Sequence, residues 1–341
     1  MDDKHPESTT IPSSAPTPAA AQPDAPTPPQ PQPHRLSSAQ KLRILLLTRL
    51  KHTFHATDHH LLHLARLLST PSGTDVLLCT TSYTLTLLRA LLSRLLERRL
   101  SAIASAIASK TDGILLPGET LIASLPAPTS TKVLAQAVGS AKALADTIAD
   151  YRIFVRLWGT VGLYTWARAT YLDGLREDAS GKEKVVKGLT WAAIVSCVGF
   201  QVLENGAYLS SKGALTTASW TGDVGKAREN TWWLWSSRFW AVYVGIELVR
   251  LGVVRGWKEK KVQEDRVVDG EKEDKIMEEE KVRQEKLQKW LWWKDVVSNL
   301  AYAPMTVHWS LEQGLLSDLG VGACGIVAGG ALLTDAWRRT A

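Results

Sequence analysis

The sequence lacks most of the patterns that identify an enzyme. Its 341 residues contain no G-x-S-x-G, no Walker loop, no H-E-x-x-H and no H-x-x-x-x-D. One G-x-G-x-x-G match occurs, Gly320 to Gly325, but no strand is predicted before it and no room follows for the acidic ribose partner. No catalytic residue, cofactor or metal site is expected, and the chain reads as a non-enzyme. Cysteine is also scarce. Cys79, Cys197 and Cys324 form no C-x-x-C pair, and their odd number argues against a disulfide framework, so they read as small buried hydrophobes in a reducing compartment. The opening "MDDKHPESTT" is acidic and polar, so no secretory signal peptide is expected.

Aromatic residues are missing where nucleic acid would need them. All fourteen tryptophans lie at or beyond Trp158. From Arg35 to Leu100 ten Lys/Arg face only Asp58, Asp75 and Glu97, yet this basic block holds just Phe54 and Tyr83 as stacking groups. Single-strand platforms combine basic and aromatic groups. Leucines dominate here instead, which favours anionic membrane lipid over nucleic acid as the partner.

The spacing predicts an all-α, membrane-associated protein with amphipathic helices and at least one transmembrane helix. Residues 1–38 are rich in Pro, Ala, Thr and Gln and read as a disordered tail. Residues 39–110 form a basic amphipathic helical region, with helices expected over 39–69 and 74–107, broken by "TPSG". Residues 111–131 read as a loop. Residues 132–257 hold aromatic-rich membrane-associated helices, the first running unbroken from 132 to about 172. A second segment, 185–209, has an uncharged core of about sixteen residues, short of the roughly 20 that cross a bilayer. Residues 258–289 are a charged linker or helix with room for the i,i+4 pairs Glu271–Lys275, Glu279–Arg283 and Glu285–Lys289. Residues 290–341 form a C-terminal membrane segment. Its stretch 319–337 is uncharged up to Asp335 and is followed by Arg338 and Arg339. Gly322, Gly325 and Gly329 there would let a neighbouring helix approach closely.

Three clusters invite a chemical reading. In 84–100, Leu85, Leu88, Leu91, Leu92, Leu95 and Leu96 follow helical spacing, with Arg89, Arg94, Arg98 and Arg99 between and beyond them. The leucines would insert into one leaflet while the arginines contact lipid headgroups, or the leucine face would pack onto a helical bundle. His55, His59 and His63 repeat at i,i+4 beside Asp58, a spacing that can hold zinc. They read instead as a polar face that gains charge as pH falls towards 6. Glu204 and Glu247, in or beside apolar runs, read as places where helices face water or pair internally, for instance Glu247 with Arg250, rather than as a transport path.

"DYRIFVRLWG", 150–159, seats Arg152 and Arg156 among bulky apolar residues. A helix in the bilayer interface would suit both, with rings settling at the headgroups and guanidinium groups snorkelling. A bundle with arginine stacked on tryptophan is the alternative. Together with "GLYTWA", this stretch resembles the peroxin-11 family of peroxisomal membrane proteins, particularly its fungal branch. The resemblance rests on Tyr151, Arg152, Phe154, Arg156, Trp158 and Gly159 and on the order of segments over roughly 40–341. It implies peroxisomal membrane remodelling and elongation before fission, by insertion of an amphipathic helix into the cytosolic leaflet. The resemblance maps that helix onto 84–100, with 40–69 as a rival. It also implies self-association and partnership with a fission adaptor and a dynamin-related GTPase. A metabolite pore, or a membrane-shaping protein of another organelle, is the competing expectation.

Overall fold

The computed structural model describes residues 37–111, 128–175, 179–265 and 275–341. Most of the Pro-rich tail, most of the 111–131 loop and the centre of the charged stretch, with the expected Glu271–Lys275 pair, lie outside these residues. Among the described residues the fold is all-α: eight helices and no strand. The chain divides into two units, Met1–Thr57 and Asp58–Ala341.

In the first unit the described residues begin helix α1 (Ser38–Leu68). A reciprocal cap starts it: Gln40 N–H donates to Ser37 Oγ (3.2 Å) and Ser37 N–H to Gln40 Oε1 (2.9 Å). Every residue from 38 to 57 is exposed. Leu42, Leu46, Leu50 and Phe54 rise along one side at i,i+4 steps, with Lys41, Lys51, His52 and His55 opposite. Arg43 falls on the apolar side, where its long stem can snorkel.

The second unit holds the end of α1 and helices α2 (Pro71–Thr111), α3 (Thr129–Arg156), α4 (Gly159–Leu172), α5 (Gly181–Ser211), α6 (Gly222–Asp265), α7 (Lys275–Trp309) and α8 (Asp318–Thr340). Packing follows a cycle. Helix α2 lies against α3 and α8, α8 against α7, α7 against α6, α6 against α5, and α5 meets α3, while α4 lies along α5. Glycines set the closest approaches. A Cβ at Gly322 would come within 2.8 Å of the Leu87 backbone, one at Gly325 would strike the Tyr83 ring, and one at Gly329 would reach Thr80. The small-residue stripe of α8 therefore packs on α2 within the same chain.

Two expectations about length need correction. The segment expected over 185–209, and judged short of a span by its uncharged core, is a 31-residue helix, α5, long and apolar enough to cross a bilayer. Ser180 and Glu183 form a capping box that starts it four residues before the apolar run, giving roughly 46 Å at 1.5 Å per residue. It ends in a glycine cap, with Gly213 at φ +70° and Ala214 N–H donating to Leu209 O (2.9 Å). The run from 132 to 172 is not one helix. It breaks at Leu157 and Trp158, between α3 and α4.

Candidate functional site

The break explains the motif. Gln201 Nε2 donates to Arg156 O (2.9 Å) and Asn205 Nδ2 to Leu157 O (3.3 Å). These carbonyls would otherwise continue the helix, and α5 takes them over. Leu157 and Trp158 instead donate to Phe154 O and Val155 O, three residues back, which tightens the last turn. Gly159 leaves room for the same contact, since a Cβ there would lie 2.7 Å from Gln201 Oε1 and push that side chain aside.

The charged side chains around this break do not snorkel, which corrects the interface reading. Arg152 binds Asp75 of α2 through Nε (2.7 Å) and Nη2 (3.3 Å). Arg156 binds Glu204 of α5 through Nε (2.9 Å) and Nη2 (2.8 Å). Asp150 pairs with Lys212 at the end of α5. Both arginines make two-point contacts that fix orientation as well as charge. Glu204 is 7 % exposed, so Arg156 neutralises a carboxylate that burial would otherwise penalise heavily. Asp75, 44 % exposed, still meets solvent, so its pair contributes less. Burial opposes the Arg152 charge, yet the hydrogen bonds and negative charge of Asp75 outweigh it and hold its pKa above the usual arginine value. The motif is thus a set of fasteners tying α3 to both neighbours. Tyr151, Phe154 and Trp158 point the other way and are exposed.

Between α2, α3, α5, α6 and α7 lies a half-open cleft of about 910 Å³. Arg152, Arg156 and Glu204 line it together with Trp240, Tyr302 and Trp309. Trp240 is the hub of the rings: it stacks on Trp309 (5.6 Å, 16°) and meets Tyr302 (5.5 Å) and Phe200 (6.1 Å).

This unit buries polar side chains beside its apolar core while leaving many large apolar ones exposed. Buried positions include Ser196, Gln201, Glu204, Ser236, Glu247 and Asp335, whereas Val195, Val198, Val202, Val242, Val249 and Leu300 are exposed. The buried polar groups are satisfied: Glu247 is held by Arg250 (2.6 Å), and Asp335 by Lys294 and Arg339. Among the described residues, no buried side-chain nitrogen or oxygen lacks a partner. Helices α2, α5 and α8 are each long and apolar enough to cross a bilayer. Exposed apolar helices whose buried polar groups are all partnered suit a hydrocarbon solvent. The chain is a membrane protein.

The 84–100 segment lies within α2 and is partly used up by packing. Leu85, Leu92 and Leu96 are half-buried, and Leu88, Leu91 and Leu95 are exposed. Arg89 pairs with Asp318 of α8 (2.6 Å), while Arg94, Arg98 and Arg99 are exposed. The histidine triplet also splits. His55 and His59 are exposed, but His63 is buried, with Nε2 2.9 Å from Trp337 O and its ring 3.7 Å from the Trp337 ring. Among the described residues no group of His, Cys, Asp or Glu is arranged to hold a metal.

No family model matches the chain. An uncharacterised protein of Schizosaccharomyces pombe is 26 % identical over 187 residues, which is 55 % of this chain and 67 % of that protein. No solved structure matches.

Proposed function

We propose that the protein remodels and elongates the peroxisomal membrane ahead of fission, without chemistry of its own. The first half of α1 acts as the wedge. The observation that carries this reading is the wholly exposed face of Leu42, Leu46, Leu50 and Phe54 with lysines and histidines opposite. Each leucine taken into an apolar phase contributes about 1.5–3 kcal/mol, and each Lys/Arg near anionic lipid about 1 kcal/mol. A helix held in one leaflet on these terms expands that leaflet and favours curvature. The exposed side of 84–100, with Leu88, Leu91 and Leu95 beside Arg94 and Arg98, is a second surface of this kind. The peroxisome, the cytosolic leaflet, self-association, the fission adaptor and the dynamin-related GTPase come from the likeness of the 150–159 motif to the peroxin-11 family.

The test is to mix the purified full chain with anionic vesicles and score tubules by electron microscopy. Tubules from the native chain and none from Leu46→Glu with Leu50→Glu support the reading. Tubules from both remove α1 from the mechanism.

A metabolite pore is a second reading, favoured by the half-open cleft with ionic side chains between the packed helices. Release of a small dye from vesicles carrying the chain separates it from the first, since a wedge gives tubules without dye release.

A further inference from the structure

We propose that the first half of α1 is a pH-gated lipid contact, in which His52 and His55 gain charge as pH falls and draw the helix onto an anionic phospholipid surface. This rests on the reading of α1 as the wedge and adds its regulation.

The polar side of this helix carries few permanent charges. Opposite the stripe of Leu42, Leu46, Leu50 and Phe54 the ionisable groups are Lys41, Lys51, His52 and His55, so half of them are imidazoles. His52 and His55 stand roughly 60° apart around the helix axis, with the two lysines on the same side. Both rings are exposed, and among the described residues neither makes a hydrogen bond, ion pair or ring contact. His63, further along α1, is committed elsewhere: it is buried, with Nε2 on Trp337 O.

Every residue from 38 to 57 is exposed, so the charged groups near these two rings are those of α1 itself. Lys41, Arg43, Arg49 and Lys51 precede them, and Asp58 and His59 follow His55 by three and four positions. Imidazole is the side chain that ordinarily changes charge between about pH 5 and 8. A surface that attracts the charged form binds more tightly as that form accumulates, and by linkage it promotes protonation in turn. Contact with anionic lipid therefore strengthens as pH falls, while contact with lipid of no net charge does not. Each further cation near an anionic surface raises partitioning about fivefold, so two imidazoles that begin partly charged give about tenfold.

The experiment reconstitutes the full chain into vesicles of phosphatidylcholine with phosphatidylglycerol, whose phosphate keeps its charge throughout, and into phosphatidylcholine alone. An environment-sensitive dye on Thr53→Cys, on the leucine side of α1, reads the ratio of lipid-bound to water-exposed helix. The chain without that substitution, treated in parallel, removes any signal from Cys79, Cys197 and Cys324. With phosphatidylglycerol the ratio should rise about tenfold from about pH 7.5 to 5.5, and without it the ratio should stay level. His52→Gln with His55→Gln should cut the rise to about threefold or less, the remainder coming from His59 and His60, which are also exposed. His52→Lys with His55→Lys should hold the helix on the anionic surface at both pH values. A native chain whose dye stays in water at both would contradict the wedge itself. A dye in lipid at both, an equal rise on phosphatidylcholine alone, or a rise unchanged in the glutamine variant would leave the wedge standing and overturn the gating.

Discussion

The first half of α1 and the segment around Arg152 are built from the same kinds of residue and put them to opposite uses. Both interleave basic groups with leucine, phenylalanine and other bulky apolar side chains. In α1 no acid occurs between Ser38 and Thr57, every side chain there is exposed, and among the described residues no ion pair holds its charges. In the bundle, Asp75, Glu204 and Lys212 arrive from other helices, and the charges of the motif become internal fasteners. The lesson is that an arginine among apolar residues has no fixed meaning. An acid supplied from elsewhere in the chain decides whether it anchors a surface or locks a core.

That contrast can be broken at several points, taken here by expected loss of stability. Arg156→Ala leaves Glu204 buried without its partner and should cost about 3 kcal/mol, measured by denaturant unfolding in detergent. Arg156→Met with Glu204→Leu should recover most of that loss, because removing both charges together leaves neither stranded. Gly325→Val pushes a side chain into the Tyr83 ring and should cost about 1–3 kcal/mol in the same assay. Arg152→Ala should cost about 1–2 kcal/mol, less than Arg156→Ala, since Asp75 keeps contact with solvent. Leu46→Glu with Leu50→Glu should change stability by under about 0.5 kcal/mol. The same pair should weaken binding to anionic vesicles by about 3 kcal/mol or more, read by flotation. Leu91→Glu with Leu95→Glu sharpens the division within α2. It should leave targeting intact while reducing tubule formation, and unchanged tubules would remove 84–100 from the mechanism.

Much of the helical order is legible in the residue pattern, because apolar spacing and the "TPSG" break are local signals. The S-x-x-E box at Ser180 and Glu183 was available too, and it accounts for the extra length of α5. The break at Leu157–Trp158 carries no local mark of its own. Both residues keep near-helical backbone angles, and the groups that intercept their neighbours' carbonyls lie 45 and 48 positions away. The roles of Arg89, Arg152 and Arg156 were hidden for the same reason, since Asp318, Asp75 and Glu204 are distant in sequence. Periodicity reports which face is apolar, but not whether lipid or another helix will cover it. The half-buried Leu85, Leu92 and Leu96 beside the exposed Leu88, Leu91 and Leu95 show both outcomes on one helix.

The most direct test of the central claim, that wedge and fastened bundle are separate devices, is made in cells. The tagged native chain and the Leu46→Glu, Leu50→Glu variant are imaged beside a peroxisomal matrix marker at matched, raised expression. The account predicts that both reach peroxisomes and that only the native chain makes them longer or more numerous. Equal elongation by the two would contradict the role of α1, and a native signal on another organelle would contradict the peroxisomal reading.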